Sequence, residues 1–119
     1  LDEAERCTRV ALMNKGRIMS VDEPAGLKKR MPGEVVEIVC DNVRRASRLL
    51  KDAARVREVQ TFGDRLNVVV DNATRDLPPL VTLLQQHAIA ITDTRVIAPS
   101  LENVFISLLT HEALAEKEP

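Results

Sequence analysis

Aromatic residues are almost absent from this chain of 119 residues, which has no Trp, no Tyr and only Phe62 and Phe105. A hydrophobic core must therefore be built from aliphatic side chains, which the apolar content of 45% can supply. RNA-binding sheets stack bases on exposed aromatic rings. Phe62 ends a predicted strand and Phe105 lies on the apolar stripe of a predicted helix, so an RNA-binding role is disfavoured.

The chain also lacks an excess of charge, a long apolar run and a cysteine cluster. Its 17 basic and 18 acidic residues give a net charge of −1, so no global field attracts nucleic acid or an anionic membrane. The apolar runs are far shorter than the roughly 20 residues of a membrane-spanning helix, and no direct membrane insertion is expected. Cys7 and Cys40 form no CxxC pair and have no histidine at ligand spacing, which predicts reduced, packed thiols and no metal.

Pro32 and Gly33 divide the sequence, because together they interrupt any regular element. The first region, 1–31, predicts a hairpin from strands at 10–13 and 17–21 around a turn that contains Gly16. A short helix follows Pro24. A lone hairpin is marginal in water, so this region is expected to belong to a larger sheet.

The second region has a regular alternation of strands and helices. Its predicted elements are strands at 35–40, 56–62, 65–70 and 89–97, helices at 43–54 and from Pro78-Pro79 onward, and a last helix capped by Ser100. With right-handed crossovers, this βαββαβ order closes into a ferredoxin-like α+β sandwich of four antiparallel strands with two helices on one face. The last helix is an addition to that sandwich. This fold hosts many activities and assigns none.

Residues that could carry chemistry are few. No GxxxxGK[ST] phosphate loop and no GxGxxG fingerprint occurs around the glycines. His87 and His111 fall near predicted helix ends, where capping or solvent exposure is expected. Asp2, Glu3 and Glu5 suit the start of a helical turn electrostatically. No catalytic, cofactor-binding or metal-binding residue is predicted.

Two clusters of basic residues stand out. One is Lys28-Lys29-Arg30. The other, comprising Arg44, Arg45, Arg48 and Lys51, marks the polar side of the helix at 43–54. A solvated helix face is the expected use, and contact with a partner protein or with lipid head groups is the alternative.

Two stretches of sequence resemble a known family. The strings LDEAERC at 1–7, RVALM at 9–13 and KGRI at 15–18 resemble the segment that follows the switch histidine in the ATPases of ABC transporters. The string PSLENVF at 99–105 is similar to the ending of many exporter-type members, which carry a small C-terminal domain. Asn103 replaces the usual acidic residue, and Asp22-Glu23 stands where Gly-Thr is commoner.

The resemblance implies a C-terminal fragment of an ABC exporter's ATP-binding subunit. Residues 1–31 would be the tail of the ATPase core, 32–112 an accessory or regulatory domain and 113–119 a polar tail. The parent would bind ATP and Mg²⁺ through upstream motifs, so the fragment alone is expected to be inactive and to need no cofactor. Its expected partners are the permease and a second ATPase copy, at the cytoplasmic face of the membrane, and not nucleic acid.

An alternative function is that of a free-standing ferredoxin-like sensor, which would bind a small ligand between strands or at a dimer interface. Without the rest of its sheet, the hairpin is expected to lose order, to dock onto the second region or to pair with another copy in a homodimer.

Overall fold

The computed structural model describes residues 3–117, with side chains described as far as His111. The chain divides into two compact units. One is the continuous stretch Pro32–Ala98, and the other combines Leu1–Met31 with Pro99–Pro119. The role predicted for Asp2 and the polar side chains predicted for 113–119 lie outside the described residues.

The Pro32–Ala98 unit contains four strands and two helices in the predicted order. Elements are numbered along the whole chain, so the other unit supplies β1 (Val10–Asn14), β2 (Arg17–Asp22) and α1 (Pro24–Lys28). The elements of the Pro32–Ala98 unit are β3 (Glu34–Cys40), α2 (Val43–Lys51), β4 (Val56–Phe62), β5 (Arg65–Val70), α3 (Ala73–Gln86) and β6 (Ile91–Ile97). The sheet order is β4-β5-β3-β6, and every neighbouring pair is antiparallel. The first and third strands of the βαββαβ sequence are thus central, which confirms the ferredoxin-like α+β fold.

The core of this unit lies between the helices and one face of the sheet. Every second residue of β3 and β5 faces α2 and α3, as the apolar alternation predicts. Leu50 of α2 and Leu84 of α3 are fully buried against this face. The sheet contributes Val36, Ile38, Cys40, Leu66, Val68 and Val70. No aromatic ring belongs to this cluster of buried residues.

Helix α3 begins earlier than the sequence predicts. The sequence places its start at Pro78-Pro79, but α3 starts at Ala73 and carries both prolines inside it. The N-terminus is set by Asn72, whose side chain accepts a hydrogen bond from the Arg75 N–H at 3.1 Å. The prediction is wrong because proline is tolerated within a helix when capping and packing outweigh the lost backbone bond.

The end of α3 also differs from the sequence-based prediction. The helical spacing puts Ala88 on the apolar stripe of this helix, yet Ala88 is exposed and has a φ of 60°. This left-handed conformation ends the helix after Gln86, and His87 is the C-cap residue. Strand β6 consequently starts at Ile91 rather than at 89. Helix α2 is also shorter than the sequence predicts: it ends at Lys51 rather than at 54.

The other unit combines the two ends of the chain. A short 3-10 turn (Ala4–Arg6) precedes the antiparallel β1–β2 hairpin and α1, and the last element is α4 (Leu101–Lys117). Its core consists of Leu12, Leu27, Leu101 and Val104, with Phe105 packed against them. The hairpin is therefore ordered in this structure, because α1 and α4 bury one of its faces.

Helix α4 begins with a reciprocal cap. The Ser100 hydroxyl accepts from the Asn103 N–H at 3.1 Å, and the Asn103 side-chain oxygen accepts from the Ser100 N–H at 3.0 Å. This is the capping-box arrangement, with Asn in the position where Glu or Gln is usual. The sequence-based assignment groups this helix with 32–98, whereas in the structure its buried face packs with residues from the N-terminal segment.

Candidate functional site

One histidine caps a helix and the other lies within a helix. His87 lies at the C-terminus of α3, with its Nδ1 2.9 Å from the Leu83 carbonyl oxygen. His111 is exposed on α4, which continues past it to Lys117 instead of ending there as predicted. Within the described residues, no group of three His, Cys, Asp or Glu side chains is arranged to hold a metal ion.

The two cysteines have different surroundings. Both are free thiols, with Cys7 exposed and Cys40 buried at the end of β3. Burial raises the pKa of the Cys40 thiol and keeps it in the neutral form. A neutral thiol is a poor nucleophile, so Cys40 serves as a small apolar side chain of the core.

Glu5 connects three segments of its unit. One carboxylate oxygen accepts from the Leu101 N–H at 3.1 Å, at the first turn of α4, and the other pairs with Lys28 of α1. The hydrogen bond from Lys28 lowers the pKa of Glu5 against the opposing effect of burial. Glu5 lies in the 3-10 turn, as the sequence predicts, and its carboxylate also neutralises the N-terminus of α4.

The first basic cluster is largely occupied by local acids. Lys28 pairs with Glu5, and Arg30 lies 3.5 Å from an Asp22 oxygen while also donating to the Ser20 hydroxyl. Lys28 therefore ties α1 to the 3-10 turn, and Arg30 ties the residues after α1 to β2.

A row of polar side chains crosses the face of the sheet that points away from α2 and α3. In the strand register Gln60 of β4 is opposite Asn67 of β5, Asn67 is opposite Glu37 of β3, and Glu37 is opposite Arg95 of β6. Gln60, Asn67 and Glu37 are only 3%, 4% and 8% exposed. One line of cross-strand neighbours therefore joins all four strands through polar groups.

Glu37 is the centre of this row. Its carboxylate accepts from Arg95 at 3.0 Å, from Arg65 at 3.1 Å and from the Asn67 amide at 3.4 Å. Burial opposes ionisation of Glu37, but the hydrogen bonds from Arg95 and Asn67 and the charges of Arg65 and Arg95 outweigh it, so the pKa of Glu37 lies below its ordinary value. Glu37 is therefore an ionised, fully partnered carboxylate.

Sequence reasoning missed this row of residues. The available signal was the single charged residue inside the otherwise apolar string VVEIV, which places Glu37 on the opposite face from Val36 and Ile38. Its partners could not be read in advance, because they come from strands 28 and 58 residues further along the chain.

A second buried carboxylate organises the start of α3. Asp76 is buried, accepts from the Asn72 N–H at 3.1 Å and from Arg75 at 2.8 Å, and lies 3.6 Å from Arg55. The hydrogen bond from Arg75 lowers the pKa of Asp76 from 3.8 to about 2, against the opposing effect of burial. Glu34 adds an acceptor for the Ala73 N–H at 2.9 Å, so the carboxylates here satisfy the helix terminus.

The second basic cluster lines a shallow cavity of about 420 Å³ between α2 and β4. Arg44, Arg48 and Lys51 are four and three residues apart, which places them on one side of the helix. The Ser47 and Thr61 hydroxyl groups complete the lining. Arg45, which the sequence groups with these cations, is not among the lining residues. No acidic residue lines this cavity.

Comparison with known proteins identifies the chain. Residues 23–109 match the family described as "ATP-binding protein DrrA1-3-like, C-terminal domain". The chain is also 28% identical over 116 residues to the Daunorubicin resistance ATP-binding protein DrrA2 of Streptomyces coeruleorubidus. These matches confirm that the chain is the C-terminal part of an ATP-binding subunit of the ABC class. More particularly, it belongs to the family of DrrA1-3-like C-terminal domains.

The chain is shorter than this relative. The alignment covers 93% of this chain but 36% of DrrA2. The family match includes α1, the whole Pro32–Ala98 unit and α4 as far as Leu109. Among the described residues, no helix combines the length and the apolar character needed to cross a membrane.

Proposed function

We propose that this chain serves as the C-terminal accessory part of an ABC exporter's ATP-binding subunit. The observation that carries the proposal is the match of residues 23–109 to the family of ATP-binding proteins' C-terminal domains. The related DrrA2 is described as a daunorubicin resistance protein, which supports export as the parent's activity. The exported substrate is left unassigned, because we expect the permease to select it.

In this proposal the hairpin is the last part of the ATPase core. Its strings RVALM and KGRI resemble the segment after the switch histidine, and the hairpin exposes Met13, Ile18 and Val21 by 52%, 62% and 41%. Three large apolar side chains on so small a sheet are typical of a surface that another element covers. We infer that the remainder of the core covers them in the parent subunit.

ATP chemistry is assigned to the parent and not to these residues. Two observations support this assignment: the sequence contains no phosphate loop, and the ionised carboxylates Glu37 and Asp76 are engaged by neighbouring strands and a helix end. The parent would bind ATP and Mg²⁺ upstream and act with a permease and a second ATPase copy at the cytoplasmic face of the membrane. The segment 32–112 would contact one of these partners or regulate the core.

The experiment compares the parent subunit with and without this region. The native gene is sequenced upstream of Leu1, and the complete subunit is expressed with its permease, both intact and truncated after position 31. We expect an upstream phosphate loop, Mg²⁺-dependent ATP hydrolysis by the intact subunit and none by the 119-residue chain alone. Loss of transport in the truncated subunit with retained ATP hydrolysis would support an accessory role.

Two results would contradict the proposal. The absence of a phosphate loop upstream would remove the parent ATPase. Saturable binding of an amino acid or another metabolite by this chain, with transport unaffected by truncation, would instead favour the free-standing sensor.

A further inference from the structure

The cavity between α2 and β4 concentrates positive charge in a way that the rest of its unit does not. Each of the five arginines outside α2 in this unit makes an ion pair with a neighbouring carboxylate; these are Arg55, Arg57, Arg65, Arg75 and Arg95. Within the part of the chain that the structure describes, Arg44, Arg48 and Lys51 have no such partner. The three cations of the cavity are therefore uncompensated.

This arrangement has an energetic cost for the free protein. Arg44 and Arg48 are four residues apart on α2, and Arg48 and Lys51 are three apart, so the like charges face each other on one side of the helix and repel. Arg48 and Lys51 lie in the last turn, where the helix dipole favours a cation. Arg44 lies near the N-terminus, where a cation is unfavourable. Local stability therefore does not account for Arg44.

The side chains that line the cavity match the chemistry of a phosphate group. Two guanidinium groups can each donate two parallel hydrogen bonds to phosphate oxygens, and the ammonium of Lys51 adds a compact charge. The hydroxyl groups of Ser47 and Thr61 can donate to further oxygens. A phosphate ester carries up to two negative charges and more acceptor oxygens than a carboxylate, so it fits three cations and two hydroxyl groups better.

From these observations we propose that the α2–β4 cavity binds a phosphate group, either of a soluble phosphate ester or of a lipid head group. The volume of about 420 Å³ is within the usual range of ligand cavities and holds a phosphate together with part of the group that it esterifies. This site is separate from ATP hydrolysis and does not depend on the transport role proposed above.

The test is a titration of the 119-residue chain in which binding is measured from the amide chemical shifts in NMR spectra. The soluble probes are inorganic phosphate and glycerol 3-phosphate, with sodium acetate at equal ionic strength as the reference. The membrane probe is cosedimentation with vesicles of phosphatidylcholine that contain either phosphatidylglycerol or no anionic lipid. We expect saturable shifts at Arg44, Ser47, Arg48 and Thr61 with a phosphate probe and not with acetate.

A charge-matched pair of variants separates this site from general electrostatics. The double variant Arg44→Gln/Arg48→Gln removes two cations from the cavity, and Arg17→Gln/Lys29→Gln removes two exposed cations of the other unit. Because each lost charge-assisted bond is worth about 1.5–3 kcal/mol, the first variant should bind at least about tenfold more weakly. The second should bind like the original chain. Thermal unfolding checks that both variants fold.

The results identify the source of the phosphate group or overturn the proposal. Binding of a soluble phosphate ester indicates a soluble ligand, and binding of anionic vesicles alone indicates a lipid head group. Equal weakening in the two double variants, or no binding of any phosphate probe by a folded chain, overturns the proposal.

Discussion

Two charged regions of the same α+β unit differ in how their charge is compensated. On one face of the sheet, the carboxylate of Glu37 accepts hydrogen bonds from Arg65, Arg95 and Asn67. The row of polar residues continues from Asn67 to Gln60 of the edge strand β4. Beside α2, three cations line a cavity without an acid. The first region is complete within the chain, whereas the second is complete only with an anion.

The difference indicates what each group of residues does. A buried charge is tolerated only when partners replace the water that it loses, and Glu37 has such partners from both neighbouring strands. Cations on the surface retain their hydration and need no partner for folding. Their grouping against a cavity therefore points to binding rather than to stability, and mutations in the two regions should have opposite consequences.

The largest effect is expected from removing the carboxylate of Glu37. Glu37→Ala leaves the Asn67 amide and two guanidinium groups without their acceptor and should lower the free energy of unfolding by about 1–3 kcal/mol. This loss of stability is smaller than that for breaking a fully buried ion pair. The side chains of Arg65 and Arg95 are 39% and 60% exposed, so both guanidinium groups can turn to water. Urea unfolding measures the change.

Glu37→Gln is the matched control for that experiment. It keeps the volume and one acceptor oxygen, but it removes the charge and puts an NH2 donor in place of the second oxygen. Because part of the hydrogen bonding is kept, its loss of stability should be smaller than that of Glu37→Ala. Phosphate binding at the α2–β4 cavity should be unaffected by both substitutions. If Glu37→Ala unfolds at the same urea concentration as the original chain, the row does not hold the sheet together.

A second prediction concerns the pH dependence of stability and rests on Asp76. Its pKa falls from 3.8 to about 2 on folding, so its ionised form stabilises the folded state. That contribution is fully present above about pH 4 and is lost as the pH falls towards about 2. The stability difference between the original chain and Asp76→Asn should therefore be largest near neutral pH and shrink through this window.

Urea midpoints at closely spaced pH values test this prediction. Asp93→Asn removes an exposed carboxylate from the same unit and reports the effect of losing a negative charge as such. A difference between the original chain and Asp76→Asn that stays constant down to pH 2 would show that the Arg75 and Asn72 contacts do not favour the ionised form.

Much of the fold is predictable here because local patterns and tertiary packing agree. The alternation of Leu66, Val68 and Val70 indicates the buried face, and the order of the elements indicates the ferredoxin-like topology. The predicted start of α3 is wrong because Pro78 is a strong local signal, whereas the true start combines the local cap of Asn72 and Asp76 with an acceptor from Glu34, 39 residues earlier, that only the folded chain provides. Tertiary contacts override the local preference of a single residue type.

The two charged regions also differ in how much of each could be predicted from the sequence. The cations of α2 could be grouped from sequence alone, because residues four apart on a helix are neighbours wherever the helix is placed. The partners of Glu37 could not, because they depend on the pairing of strands that are far apart in sequence. The cavity beside α2 also needed the structure, since Thr61 reaches it from β4.

The smallest expected effect on stability has the opposite sign and comes from Arg44→Glu. A carboxylate near the start of α2 suits the helix dipole, and the introduced side chain would lie four residues before Arg48, which is the favourable orientation for an ion pair. The free energy of unfolding should rise by about 0.5 kcal/mol or slightly more. Phosphate binding should be lost, because an anion then occupies the lining of the cavity.

This variant tests whether binding and stability are in conflict at the cavity. Urea unfolding and the phosphate titration are run on the same sample, with Arg44→Gln as the neutral control that removes one charge without adding an anion. Arg44→Gln should show an intermediate value in both measurements. A chain that is destabilised by Arg44→Glu would mean that Arg44 has a structural role after all, and the contrast with Glu37 would then no longer hold.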